Sequence, residues 1–288
     1  MPTSPCGPGC LDSELAQVGW IRAAWRIARS VGVLAVALVG GPALFLLRGA
    51  AARERFVRWI FRAVLRAVGA RMEVHGGTDL LGPPEQRTGR GALVVNNHIS
   101  WLDIVAVNAL QPMRALAKKE IAGWPVLGGL VARAGTVFVD REGLSSLPRT
   151  VAHLADAMRA GSLVNVCAEG TTWCGRASGR FVPAPFQAAI DGGVPVRPIA
   201  LRYRLMDGRE TTHPAFIGVE SLVASVGRAA RLRGLVVEVF VCDEIAPGRA
   251  SDRRELAGLA EAAVQSALGL TVIRQTVHTG QRRRRVGV

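Results

Sequence analysis

Short apolar runs, each too brief to be a helix, recur along the chain between longer stretches of helical period. They are Ala92–Val95, Met113–Ala117, Thr136–Val139, Leu163–Cys167, Val196–Leu201 and Leu235–Val241. Such runs suit strands covered on both faces, whereas Leu144–Ala160 and Asp252–Leu268 carry helical spacing. The alternation predicts an α/β fold: a largely parallel sheet flanked by helices. In open sheets of this kind ligands gather beyond the carboxyl ends of the strands, so the residues just past each run are where chemistry is expected. At 288 residues the chain can bury a full core as one domain with an appendage.

Just past the first run stands Asn96-Asn97-His98-Ile99-Ser100-Trp101-Leu102-Asp103, in which His98 and Asp103 form an H-x-x-x-x-D pair. An imidazole titrates near neutrality and can take a proton from an alcohol. A carboxylate one helical turn away can fix its tautomer and steady the imidazolium. Ser100-x-x-Asp103 also reads as a variant of the helix capping box, so the pair alone fits either a general base or a helix start. A helix beginning near Ser100 is further expected to disfavour the protonated imidazole and keep His98 neutral.

Three more segments follow in order: Gly135–Arg141, Cys167-Ala168-Glu169-Gly170-Thr171-Thr172, and Val194-Pro195-Val196-Arg197-Pro198-Ile199. Together with Lys118-Lys119-Glu120 and Trp124–Gly128, the four blocks between about Ala92 and Ala200 resemble the glycerolipid acyltransferases, whose best known members are the 1-acylglycerol-3-phosphate acyltransferases. The resemblance implies an O-acyltransferase of phospholipid biosynthesis in which His98 removes the hydroxyl proton of a lysolipid and Asp103 orients His98. The hydroxyl then attacks the thioester of acyl-CoA or acyl carrier protein, with no covalent intermediate and no cofactor.

Carried over residue by residue, the resemblance makes Arg141 a contact for the acceptor's phosphate. Glu169 and Gly170 shape the acceptor pocket, and Thr171 stands in the same turn. Lys118 and Lys119, with Arg176 and Arg180, are further candidates for holding an anionic head. The family commonly reads P-E-G-T-R in the third block, where this chain has Ala168 and Thr172. Losing that arginine removes a bidentate phosphate clamp. The E-G-T-T form resembles relatives that acylate lyso-ornithine lipid, so the expected acceptor is 1-acylglycerol-3-phosphate, giving phosphatidic acid, with lyso-ornithine lipid as the alternative. The fourth block is expected to act as support.

A net charge of +14, carried by 36 basic residues of which only Lys118 and Lys119 are lysines, calls for an acidic partner. With one tyrosine and 5% aromatic residues the chain lacks the stacking side chains of a nucleic-acid binder, so an anionic membrane surface is the expected partner. The uncharged stretch Ser30–Leu47 has an apolar part of about 17 residues, roughly 26 Å as a helix, and Gly40-Gly41-Pro42 interrupts it. Two short helices meeting at a bend, inserted from one side or spanning once, fit this pattern. Arginines concentrated after it place the catalytic part on the cytoplasmic face. Arg55, Arg58, Arg62 and Arg66 recur every three or four residues opposite Val57, Ile60, Phe61, Val64 and Val68, which reads either as a basic helix on the membrane or as a helix docked on the sheet. The resulting division is a membrane-associated helical region over 1–69, a catalytic domain over 70–272 and a basic tail over 273–288.

Other chemistry is poorly supported by the residues. His98, Asp103 and Glu169 lack a recognised metal spacing, and no G-x-S-x-G elbow is present. The five cysteines show no C-x-x-C spacing, so reduced thiols are expected rather than a disulfide framework or a zinc site. Cys167 lies two residues before Glu169 without a predicted activating partner. A reading of another class remains: an inactive scaffold that binds membrane or nucleic acid by charge.

Overall fold

The computed structural model describes residues 3–13, 16–43, 49–77, 80, 91–118, 122–123, 128–129, 136–139 and 147–270. Seven strands form one sheet: β1 (Ala70–His75), β2 (Ala92–Asn96), β3 (Arg114–Lys118), β4 (Val137–Val139), β5 (Leu163–Cys167), β6 (Val196–Leu205) and β7 (Leu235–Val241). Their spatial order is β1-β7-β6-β2-β5-β3-β4. Strands β6, β2, β5, β3 and β4 run parallel, β7 pairs antiparallel with β6, and β1 runs parallel to β7. The expected α/β architecture is therefore present. Strand β1 escaped the sequence reading because Arg71, Glu73 and His75 break its apolar run.

The central strand explains why the runs are continuous. In β2 every residue is buried, and its side chains alternate between two cores. Val94 joins Leu102, Ala106, Leu110, Leu201 and Val237 on one face, while Leu93 and Val95 join Leu154, Met158, Phe186 and Ala260 on the other. The first face is covered by α2 (Ala50–Val68) and α3 (Trp101–Leu110). The second is covered by α4 (Leu147–Arg159), α5 (Ala184–Gly192) and α7 (Arg253–Ala267).

The N-terminal helix α1 (Trp20–Ala43) packs on α2 and on α6 (Leu222–Arg231). It runs without a break through Gly40-Gly41-Pro42, so the expected bend does not fall there. Pro42 sits in the last turn of α1, and α2 begins at Ala50. Its segment Trp20–Gly40 is long and apolar enough to cross a membrane. Trp20, Ile21, Trp25, Val31 and Val39 are each at least 60% exposed, an apolar face that the protein itself leaves uncovered. Helix α2 instead docks: Ile60, Val64, Leu65 and Val68 are buried, and Arg62 Nε donates to Ala109 O of α3 at 3.0 Å.

The region before β1 is stitched to the sheet domain. Arg26 Nη1 donates to Ala230 O and Leu232 O at 2.9 and 2.7 Å, and Val18 N donates to Arg231 O at 2.8 Å. The basic tail over 273–288 lies outside the described residues.

Close approach at the foot of β2 requires a glycine. A Cβ on Gly91 would lie 1.8 Å from Ser162 O, a backbone atom, while Gly91 N donates to Met158 O at 2.6 Å. Gly91→Ala must push two backbone segments apart and is expected to cost about 1–3 kcal/mol. Thermal unfolding checks this; an unchanged midpoint contradicts the packing described.

Candidate active site

The chain leaves β2 at Asn96 and enters α3 at Trp101, and the residues between are fixed by both backbone and side chains. Asn97 continues the β2–β6 ladder past the end of β2: its Nδ2 donates to Leu201 O at 2.9 Å and its Oδ1 accepts from Leu201 N at 2.8 Å. His98 O accepts from Trp173 N at 2.8 Å, and Ile99 O accepts from Phe216 N at 2.8 Å. A loop so held presents His98 in a fixed position beyond the carboxyl ends of β2 and β5.

Asp103 lies in the first turn of α3 and is fully buried. Its Oδ2 accepts from the backbone N–H groups of Ile99 and Ser100 at 2.6 and 2.8 Å, and from His98 Nδ1 at 2.9 Å. Ser100 caps the helix in return, its side chain accepting from Leu102 N at 3.3 Å. The two readings of Ser100-x-x-Asp103 are thus not alternatives. One carboxylate closes the capping box and holds the imidazole.

A carboxylate only accepts, so Nδ1 carries the proton and Nε2 is left as the basic nitrogen. The remaining oxygen, Oδ1, accepts from Tyr203 Oη at 2.5 Å. Burial, with Asp103 beside it, raises the Tyr203 pKa well above the ordinary phenol value, so it stays a donor. Tyr203 lies in β6, 100 positions beyond Asp103 in the chain, and no local motif marks it. The only signal available was its being the chain's single tyrosine.

His98 keeps 22% of its side-chain surface exposed, enough for a substrate to reach it. Burial disfavours its charged form, but the Cys167 sulfur and the Asp103 carboxylate outweigh this and raise its pKa well above the ordinary imidazole value. That reverses the expectation from the helix dipole. A buried acid hydrogen-bonded to the ring acts over a shorter distance than partial charges at a helix end. Cys167, which had no predicted partner, lies against this same ring.

Glu169 is 2% exposed and binds backbone rather than facing solvent. Its Oε2 accepts from His98 N at 2.5 Å and its Oε1 from Gly179 N at 2.6 Å, so it clamps the histidine loop to the loop after β5. Burial pushes its carboxyl up to about 8, against the pull of those two N–H groups. Gly170 has φ +71°, a left-handed turn that favours glycine, and Thr171 follows it half-buried. Thr172 donates its hydroxyl to Phe216 O.

The other predicted contacts are dispersed. Arg176 pairs with Asp12 at 2.5 Å, which ties it to the N-terminal segment, and Arg180 is exposed. Lys118 ends β3, its side chain outside the described residues; Lys119 and Arg141 lie outside them altogether. Arg197 of the fourth block pairs with Glu244.

A partly exposed imidazole, oriented by a buried acid at the carboxyl edge of parallel strands, can take the proton of a hydroxyl and so activate it. Comparison with known proteins agrees. The family model described as Acyltransferase matches residues 71–202. The chain is 36% identical over 191 residues to the 1-acyl-sn-glycerol-3-phosphate acyltransferase of Neisseria meningitidis serogroup B, covering 66% of this chain and 72% of that protein. It is 33% identical over 255 residues to the lyso-ornithine lipid O-acyltransferase of Pseudomonas aeruginosa, covering 86% and 94%. The crystal structure of the 1-acyl-sn-glycerophosphate acyltransferase PlsC from Thermotoga maritima shares the fold, with a TM-score of 0.63 at 18% identity over 86% of this chain and 97% of that one. This chain belongs to the glycerolipid acyltransferase family and is an O-acyltransferase.

If His98 acts as base, turnover rises with pH as the ring loses its proton, and the raised pKa places that limb above about pH 6.5. A pH–rate profile with its limb at or below that value contradicts the site described. Tyr203→Phe leaves Asp103 Oδ1 without its donor in a buried site, at a cost of about 1–3 kcal/mol read as a lower unfolding midpoint. It should also shift the same limb, which a purely structural loss would not do.

Proposed function

We propose that the protein transfers a fatty acyl group from acyl-CoA or acyl carrier protein to the free hydroxyl of a lysolipid in one step. The hydrogen bond between His98 Nδ1 and Asp103 Oδ2 carries this reading, because it leaves Nε2 as the proton acceptor. As the hydroxyl oxygen attacks the thioester carbon, its proton passes to Nε2, and the carbonyl becomes a tetrahedral oxyanion. Collapse breaks the carbon–sulfur bond, and the departing thiolate takes the proton back from the imidazolium. Proton and acyl accounts close without a cofactor. The negative charge of the Asp103 carboxylate stabilises the imidazolium that exists between these steps.

Glu169 supports acceptor binding by fixing the loop around Gly170 and Thr171, while Lys118, Lys119 and Arg141 are assigned the anionic head. The apolar face of α1 and the net positive charge support attachment to an anionic membrane, with the catalytic domain on the cytoplasmic side. Attachment of this kind suits an acceptor lysolipid held in the bilayer.

The acceptor we assign first is 1-acylglycerol-3-phosphate, giving phosphatidic acid. One observation favours lyso-ornithine lipid as a second reading. Thr172 stands where the family's arginine is usual and spends its hydroxyl on Phe216 O, leaving one phosphate clamp fewer. The alignment with the Pseudomonas aeruginosa lyso-ornithine enzyme along 94% of that protein points the same way.

Purified protein given labelled acyl-CoA or acyl carrier protein and a panel of lysolipids tests the reading. Acylated product is expected with the wild type, falling by about 10² to 10⁴ in His98→Ala. Product with lyso-ornithine lipid and none with 1-acylglycerol-3-phosphate selects the second acceptor. No product with any acceptor and either donor rejects the function.

A further inference from the structure

Three sulfurs converge beside the loop that follows Glu169. Cys6 and Cys10 come from the N-terminal segment, and Cys174 from the loop that follows Glu169. Their Sγ atoms all lie within 4.8 Å of one another. Around a tetrahedral zinc, with Zn–S of about 2.3 Å, three thiolates stand about 3.8 Å apart, so the observed spacing needs only a small contraction. We infer that Cys6, Cys10 and Cys174 bind a zinc ion, which clasps the N-terminal segment to the catalytic loop.

The surroundings suit a thiolate site. Cys174 N donates to Cys6 Sγ at 3.3 Å, and the backbone N–H groups of Ala177 and Arg176 are directed at the Cys174 sulfur. Backbone donors converging on sulfur stabilise negative charge there and would hold a metal-bound thiolate in position.

Thiolate sulfur selects zinc over hard cations such as magnesium or calcium. Binding displaces the thiol protons to solvent and leaves a fourth tetrahedral position for water or another donor. The other convergence of ligand-type side chains among the described residues, Glu73, His75 and Glu238, is already engaged by guanidinium groups: Arg204 holds Glu73, and Arg202 and Arg204 both hold Glu238. The sulfur cluster is the better candidate.

The clasp would act close to the site without entering it. Cys174 follows Trp173, whose N–H donates to His98 O, and Asp12, two residues past Cys10, holds Arg176, Thr211 and Thr212. Zinc therefore fastens a segment that already bears on the histidine loop. This inference stands apart from the identity of the acceptor lipid.

Full-length protein, purified in detergent with its thiols reduced, is equilibrated with Zn²⁺, freed of excess metal and analysed for bound zinc. One zinc per chain is expected in the wild type and less than about a tenth of that in Cys174→Ser, while Cys242→Ser, outside the cluster, keeps it all. Because Cys174 is buried and its variant risks misfolding, the half-buried Cys6 provides a second arm: Cys6→Ser should lose zinc comparably. Co²⁺ added to the wild type should give thiolate-to-metal charge-transfer absorption. A wild type that takes up neither metal overturns the inference, as does zinc uptake undiminished in both variants, or a disulfide found between two of these sulfurs.

Discussion

One buried carboxylate organises the site. Asp103 accepts four hydrogen bonds, from the backbone of Ile99 and Ser100, from the His98 ring and from the Tyr203 phenol. Burying an ion without partners is costly, whereas one that is fully hydrogen-bonded fixes whatever it touches. Here it touches the helix start, the catalytic ring and strand β6. The orientation of His98 is consequently not a property of its own loop. It is set where β2 ends, where α3 begins and where β6 passes beneath them.

This explains both what the sequence revealed and what it concealed. The strands were legible because β2, β5 and β7 are buried along most of their length and read as apolar runs, interrupted only by Asn165 in β5 and Glu238 in β7; β1 was not, because three of its six positions are polar. The dyad was legible because its members lie within one helical turn. Its third member was not, because Tyr203 reaches it only through the pairing of β2 with β6. The cysteine cluster was hidden for the same reason: Cys174 is 168 residues from Cys6, beyond any local spacing rule.

Among the N-terminal helices, packing decided what pattern left open or misplaced. Glycine and proline inside an apolar stretch suggested a break at Gly40–Pro42, yet a proline at the end of a helix removes few hydrogen bonds, and α1 continues to Ala43. The arginines of α2 allowed either a membrane-facing helix or one docked on the sheet, and the docked reading is the one observed: its apolar stripe is consumed against α3 and the sheet, while α1 keeps an uncovered apolar face. Because α1 and the segment before it are tied to α6 and to the loop after β5, attachment through α1 would hold the catalytic edge at a fixed height over the bilayer.

The central claim is that capping α3 and orienting His98 are the work of a single carboxylate, and Asp103→Asn tests it most directly. An amide keeps the shape but cannot accept from all four donors. Measured side by side, turnover and the unfolding midpoint should fall together in this variant. Turnover near that of the wild type, or lost turnover with an unaltered unfolding midpoint, would contradict the account.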